Sequence, residues 1–276
     1  MISQLKILIL VTWKEEGKWP LPHLLRNAVQ RVDILQPVSL KSTVNRRLTH
    51  LSRYLSEIYL PLMAFFRKKY HDVIISWSMR IGICYGILKR ILHFRKLPVH
   101  IIQDFHIDFT QTRWVYKMKI FLTKLGINGI DYIFCTSTEE EKIYSQQFGI
   151  ARNKIAFLPV TAPLSYFSEP DHPKSSYIFS YGNSDRDFDT LILAATQLNI
   201  RTYILSQRYR PRIPIPQCVS IIRDRISEKE LLKWIASSRI VVLPLKDYRV
   251  SAGQGCMLEV MALARPLIIT ENMATK

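Results

Sequence analysis

The sequence predicts an α/β protein of two domains, each built on a parallel sheet, with a cleft between them and the second domain incomplete. Three observations predict it. Short apolar runs with strand character alternate with helix-length segments through the first 160 residues or so. A stretch rich in Pro, Ser and Asp, "TAPLSYFSEPDHPKSS" at 161–176, has no sustained period and reads as a connection between domains. A second alternating series then runs to residue 270. With 276 residues the chain is long enough for two cores.

The first series holds "KILILVT" (6–12), "HDVIISWS" (71–78), "VHIIQDF" (99–105) and "DYIFCTS" (131–137), with helical stretches such as "IGICYGILKRILHF" (81–94) between them. Strands this apolar are buried on both faces, as in a parallel sheet covered by helices. The opening "MISQLKILILVTW" is a first strand rather than a secretory signal, because its apolar part is brief and no small-residue cleavage site precedes "KEEGKWP". After 131–137, Ser137 and Glu140 have capping-box spacing, acids fill the first turn, and Gly149 stands as a C-cap. The expected domains are 1–165 and 166–276.

The second series reads "YIFSYGN" (177–183, strand and turn), "FDTLILAATQLN" (188–199, helix), "RTYILS" (201–206, strand) and "CVSIIRD" (218–224, strand). It continues with "SEKELLKWIASS" (227–238, a helix with Ser227 and Glu230 as a capping box) and "RIVVLPL" (239–245, strand). A helix near 254–264 and the strand "PLIIT" (266–270) follow. "ENMATK" comes directly after that strand, which predicts an unclosed sheet edge and exposed apolar surface. Two sheets with their carboxyl ends facing a cleft are where open α/β folds place ligands.

Composition narrows the function classes. Hydrophobic content of 48% and mean hydropathy of +0.03 fit a globular chain, and no apolar run is long enough to cross a bilayer. Cys84, Cys135, Cys218 and Cys256 form no CxxC pair, so free thiols packed as small hydrophobes in a reducing cytoplasm, and no metal site, are expected. The net charge is +17, and residues 41–124 hold 16 Lys and Arg against 4 Asp and Glu. Such a balance is either a solvated basic surface or an attraction to phosphate-bearing partners or anionic lipid. No RRM, KH or helix-turn-helix signature accompanies it, so no specific nucleic-acid partner is expected.

The chemistry concentrates in "LPLKDYRVSAGQGCMLEVMALARPLIIT" (243–270). A strand ends near Pro244, and Ser251, Ala252, Gly253, Gln254 and Gly255 let the backbone approach a ligand before a helix begins. Free amides and the positive dipole end at such a helix start suit a phosphate. Glu259, the lone acid on that apolar helix, lies about 7 Å further along the axis at 1.5 Å per residue. That is the reach from a diphosphate to its ribose, whose hydroxyls a carboxylate accepts from. The plainer reading is a glycine-shaped turn with Glu259 in solvent.

The order of these elements, with "CMLEVMALARPLIIT" against a glycine-bearing turn, "LEAMA", Gly-Pro and a strand, resembles the donor half of glycosyltransferase family 4, the retaining group with the GT-B fold. "DYIFCTSTEEEKIYSQQFGIARNKIAFLPV" is similar to the family's passage into the interdomain linker, so the resemblance covers most of the chain. It implies two Rossmann-like domains facing a cleft, a chain truncated at its C-terminus, and transfer of a sugar with retention. The donor is a nucleoside-diphosphate sugar, the acceptor a glycan or a lipid-linked or polysaccharide chain of the cell envelope, and no metal or other cofactor is implied.

Residue by residue, the resemblance makes Glu259 the ribose ligand, the second acid of the family's E-x7-E motif. Ser251 stands where the first acid belongs. Gly253, Gln254 and Gly255 match the backbone that meets the diphosphate, and Arg186 falls near a basic residue that neutralises it, the family's preceding Arg falling at about Asn183. Asp104 and His106 end a first-domain strand near the transferring sugar, and Trp13, Lys14 and Arg80 are acceptor-side candidates. A packed or surface role is the plainer reading of each of these last five. The free cysteines point to a cytoplasmic enzyme, and the positive charge favours a peripheral place on the inner face of the membrane. The alternatives are a degenerate GT-B protein that binds nucleotide without turnover and, further off, a nucleic-acid-binding protein.

Overall fold

The computed structural model describes residues 2–13, 20–37, 46–92, 98–107, 113–168 and 175–275. The chain divides after Leu158 into two compact units.

The first unit is a six-stranded, all-parallel sheet in the order β2-β1-β3-β4-β5-β6, from β1 (Lys6–Leu10), β2 (Arg31–Leu35), β3 (Val73–Ser78), β4 (Val99–Asp104), β5 (Tyr132–Cys135) and β6 (Ile155–Phe157). Its helices are α1 (Pro20–Arg26), α2 (Arg46–Arg67), α3 (Met79–Ile91), α4 (Arg113–Gly126) and α5 (Thr138–Phe148). Strand alternation sorts the core into two layers. Leu8, Leu10 and Ile74 pack with Leu60 and Ala64 of α2 and Ile81 and Tyr85 of α3. Ile7, Ile9 and Ile75 face the other way, toward Leu25 of α1. Right-handed crossovers require this split, because only the β1-to-β2 step runs toward the β2 edge.

Helix α3 meets the 3-10 turn after α4 at backbone contact distance. A Cβ at Gly129 would stand 2.1 Å from the Gly86 carbonyl oxygen, so both glycines are required there.

The second unit is a five-stranded parallel sheet ordered β11-β10-β7-β8-β9. Its strands are β7 (Ile178–Tyr181), β8 (Thr202–Leu205), β9 (Val219–Ile222), β10 (Ile240–Leu243) and β11 (Leu267–Ile269), and its helices α6 (Phe188–Leu198), α7 (Glu228–Ser237) and α8 (Gln254–Ala262). Phe179, Tyr181, Val241 and Leu243 pack under α7 and α8, while Ile204 and Val219 pack under α6. The connection is partly core, since Tyr166 is buried in the cluster under α7 and α8.

The predicted caps form, with one change of partner. Ser137 Oγ accepts from the Glu140 amide at 3.1 Å and Gly149 has φ +64°, but the Glu140 carboxylate reaches the Thr136 amide rather than that of Ser137. Ser227 accepts from the Glu230 amide at 3.2 Å. β11 is the edge strand of the described sheet, and its Ile268 is exposed. The residues after it are built in: Asn272 is fully buried and donates to the carbonyls of Val250 and Ala252 at 2.9 and 3.0 Å.

Candidate functional site

In the second unit the site grows from the carboxyl ends of β7 and β10. β7 ends at Tyr181, and Gly182 turns the chain at φ +124°, a conformation that favours glycine. The space a Cβ would take there, 2.7 Å from Arg186 Nε, is filled by the Arg186 side chain folding back over the turn. Its Nε donates to the Tyr181 carbonyl at 3.0 Å, Nη1 to the Ser184 carbonyl at 2.7 Å, and Nη2 to Cys256 Sγ at 3.3 Å. Arg186 is only 8% exposed, so it is not a surface arginine in a turn. No carboxylate lies within ion-pairing distance of it among the described residues. The guanidinium's hydrogen bonds go only to neutral acceptors, Asp185 acts on it through space without a direct ion pair, and an anion beside it would be favoured.

Asn183, where the family carries an arginine, has another task. Its Oδ1 accepts from Ser206 Oγ and from the amides of Gln207 and Arg208 at 3.0 to 3.2 Å, which pins the loop after β8. Between that loop and the β7 turn lies a cavity of about 440 Å³, with Arg186, Arg208, Arg212 and Lys246 among its lining. Arg208, Arg212 and Lys246 are exposed, and with Asp185 and Asp189 also in the lining the wall is cationic on balance.

Helix α8 begins as the sequence predicts. Gly253 is its N-cap, with φ +92° and no side chain to cap the helix. Gly255 differs: its φ is ordinary and a Cβ built there meets nothing within 4 Å. The fold requires a glycine at 253 and leaves open space at 255. Ser251 Oγ is buried with no hydrogen-bond partner among the described residues. The loop before the helix is held by Asn272 and by Met273, whose amide donates to the Tyr248 carbonyl at 3.0 Å.

Glu259 is half-buried rather than in solvent. Tyr181 Oη lies 2.7 Å from its Oε2 and 3.0 Å from the Cys256 carbonyl, so one phenolic proton serves both acceptors. Burial pushes the Glu259 carboxyl above its ordinary value, the Tyr181 hydroxyl partly offsets this, and Glu228 adds to it. Cys256 packs against the core under α7 and α8 as expected, and its Sγ also receives the Arg186 guanidinium; burial raises its thiol pKa and Arg186 opposes that rise.

In the first unit, β4 delivers Asp104 and His106 to the carboxyl edge of its sheet. His106 Nδ1 lies 3.1 Å from Glu140 Oε1. Glu140 is fully buried and also accepts from the Thr136 amide and hydroxyl and from the Tyr144 hydroxyl, at 2.9 to 3.1 Å. Burial opposes its ionisation, yet the bonds from His106, Tyr144 and Thr136 hold its carboxyl below the ordinary value. Asp104 is raised, chiefly by burial, with His106 opposing the shift.

The acceptor-side candidates are more heavily engaged. Trp13 meets Trp77 edge-on at 5.7 Å and packs against the β1 core. Arg80 Nη1 donates to Glu57 Oε2 at 3.2 Å. Lys14 lies outside the described residues. Among the described residues no group of three His, Cys, Asp or Glu side chains is placed to hold a metal ion.

Sequence reasoning misses Tyr181, Glu140 and Asn272. Alternation places Tyr181 on one face of β7 with Tyr177 and Phe179, and the handedness of the α7 and α8 crossovers is the signal that would have set it against Glu259. Nothing local marks Asn272.

No family model and no curated protein matches the sequence. Solved structures do match in fold. An α,α-trehalose-phosphate synthase (UDP-forming) from Burkholderia vietnamiensis superposes with a TM-score of 0.61 at 10% identity, over 98% of this chain and 85% of that one. HepE from Anabaena in complex with UDP-glucose gives 0.62 at 10% identity, over 98% and 82%. WaaG, a glycosyltransferase involved in lipopolysaccharide biosynthesis, gives 0.61 at 11% identity, over 98% and 82%. At these identities the likeness is one of fold: two Rossmann-like units of the GT-B class.

Proposed function

We propose that the protein is a glycosyltransferase that uses a nucleoside-diphosphate sugar, with residues 166–276 binding the donor and residues 1–165 serving the acceptor. The observation that carries this reading is the grouping, at the ends of β7 and β10, of a buried cation with no direct ion pair among the described residues, a helix start whose N-cap glycine offers no side-chain cap, and a carboxylate with acceptor capacity to spare. The HepE structure holds UDP-glucose on the same fold, which supports a nucleotide-sugar donor. The diphosphate lies at the amides of Gly253, Gln254 and Gly255 with Arg186 beside it. Glu259 accepts from the ribose hydroxyls, and the orphan Ser251 hydroxyl meets the donor where the family has an acid.

In the reaction the bond from the sugar's anomeric carbon to the β-phosphate oxygen breaks and one to the acceptor oxygen forms on the same face. Negative charge grows on the leaving diphosphate, where Arg186 and the α8 amides stabilise it. The acceptor's proton passes to the departing phosphate, so no protein nucleophile is assigned. As an imidazolium whose Nδ1–H is held by Glu140, His106 donates a hydrogen bond from Nε2 to the sugar or its phosphate, and Asp104 stands beside it. Trp13, Lys14 and Arg80 belong to the acceptor side in this reading. The acceptor is a glycan or a lipid-linked or polysaccharide chain of the cell envelope, reached from the cytoplasmic face, and no metal is needed, so turnover is expected to survive EDTA.

A thermal-shift panel of UDP, GDP, ADP and their sugars tests the donor assignment, because a ligand that binds only the folded state raises the melting temperature. Release of nucleoside diphosphate in the presence of lipid-linked or polysaccharide acceptors then tests transfer. Nucleotide binding without turnover would favour the second reading, a degenerate binding protein, which the replacement of an acid by Ser251 specifically supports.

A further inference from the structure

The basic first half has a structure that its charge alone does not show. The β2-to-β3, β3-to-β4 and β4-to-β5 crossovers put α2, α3 and α4 on one face of the first sheet, with α3 packed between the other two. Leu60 and Ala64 of α2, and Thr123 and Gly126 of α4, are buried.

Yet both helices are also apolar outward. α2 exposes Leu55, Ile58, Leu62 and Phe66, at steps of three and four residues that make one stripe. α4 exposes Trp114, Met118 and Phe121 in the same rhythm, with Trp114 71% and Phe121 63% accessible. Exposed stripes of this kind on the two helices that flank α3 on one face of the sheet mark an interaction surface.

The charges around the stripes select the partner. α2, α3 and α4 contain one acidic residue, Glu57, and it is buried against Arg80. Lys117 and Lys124 on α4, and Arg67 and Lys69 where α2 ends, are exposed. A second copy of this surface would set cations against cations, and a nucleic acid could stack bases on the aromatic side chains but would leave the aliphatic stripe of Leu55, Ile58 and Leu62 unburied. A bilayer with anionic headgroups satisfies both parts: aromatic and aliphatic side chains enter the headgroup boundary while the lysines and arginines meet phosphate. No helix among the described residues is long and apolar enough to cross a membrane, so the contact lies in the interface plane.

We propose that the outward faces of α2 and α4 form a docking surface for an anionic lipid bilayer. The surface deepens the proposed function, for it would bring a lipid-linked acceptor to the first unit, but vesicle binding is read without donor or turnover and stands or falls independently of them.

The test is co-sedimentation of the full chain with phosphatidylglycerol-containing and with pure phosphatidylcholine vesicles. The variants are Trp114→Ser with Phe121→Ser, and Lys117→Glu with Lys124→Glu, each checked for an unchanged melting temperature. The expected result is anionic over neutral binding by about tenfold or more, lost by a similar factor in both variants and weakened by salt. Undiminished binding of the Trp114→Ser, Phe121→Ser variant would overturn the proposal, because charge alone would then suffice, and so would failure of the wild type to bind. A dimer in sedimentation velocity that this variant dissolves would assign the stripe to a second copy instead.

Discussion

The two units each place a glutamate on a helix, Glu140 on α5 and Glu259 on α8, with a tyrosine hydroxyl against it, and the two carboxylates are treated in opposite ways. Glu140 is fully buried and collects four donors from Thr136, Tyr144 and His106, which hold its carboxyl below the ordinary value. Glu259 has Tyr181 as its one donor among the described residues, shared with a carbonyl, and burial holds its carboxyl above the ordinary value. A saturated carboxylate is a bracket: it orients what surrounds it and has nothing left to offer a ligand. One left with spare acceptor capacity in a half-buried place is poised for donors that arrive with a ligand. His106 is therefore a side chain positioned by Glu140, whereas Glu259 keeps acceptor capacity open.

The largest effect expected from this contrast is on stability. Glu140→Ala leaves the Thr136 amide, the Tyr144 hydroxyl and His106 without their acceptor and should cost about 3 to 5 kcal/mol in urea unfolding. Glu259→Gln should cost less than about 1 kcal/mol, since it replaces a disfavoured charge with a neutral amide. Equal losses would erase the distinction.

Next is affinity: Glu259→Ala should weaken nucleoside-diphosphate binding by about 1.5 to 3 kcal/mol in calorimetry, the worth of hydrogen bonds to a charged group, with the fold intact. Unchanged affinity would remove the ribose assignment.

A smaller effect separates the two glycines of the turn. Gly255→Ala should stabilise the fold by up to about 1 kcal/mol, as alanine does within a helix, while lowering nucleotide affinity by filling the space left for phosphate. Gly253→Ala should destabilise it, because φ is +92° there.

The finest test is pH. Glu140, with its folded pKa lowered, contributes stability that is present above its unfolded pKa and lost as pH falls through the folded one. Glu259, with its folded pKa raised, contributes the reverse, stability present at low pH and lost as pH rises through the folded value. A ribose bound to ionised Glu259 should therefore release a proton on binding and hold more tightly as pH rises. Calorimetry in two buffers of different ionisation enthalpy reads this directly, and Glu259→Gln should flatten the slope.

The legibility of the chain followed burial. Strands buried on both faces, such as β1, β3 and β10, are unbroken apolar runs and announce themselves, and the caps Ser137, Gly149 and Ser227 do so by residue type. β2, with Asp33 inside it, and the three-residue β6 sit at sheet edges, where half-exposure dilutes the pattern. α2 and α4 are obscured for the opposite reason, since apolar residues on both the core side and the outer side blur the helical period. In the site, Gly253 and Glu259 are readable because helix geometry relates them locally. Tyr181, 78 residues before Glu259, is not, nor is Asn272, 22 residues after the Val250 carbonyl it holds.

What the sequence by itself determined is the alternation of strands and helices, the two α/β halves, and the glycine-to-glutamate spacing of α8. Those features rest on backbone sterics, short-range hydrogen bonding and the periodic burial of apolar side chains, all of which act within a few residues. Only the tertiary structure decided that Arg186 is a buried cation with no direct ion pair among the described residues, that Glu140 is saturated and Glu259 is not, and that two basic helices turn apolar stripes outward. Desolvation and hydrogen-bond satisfaction set the character of an ionisable group, and both depend on neighbours that the chain supplies from dozens of residues away.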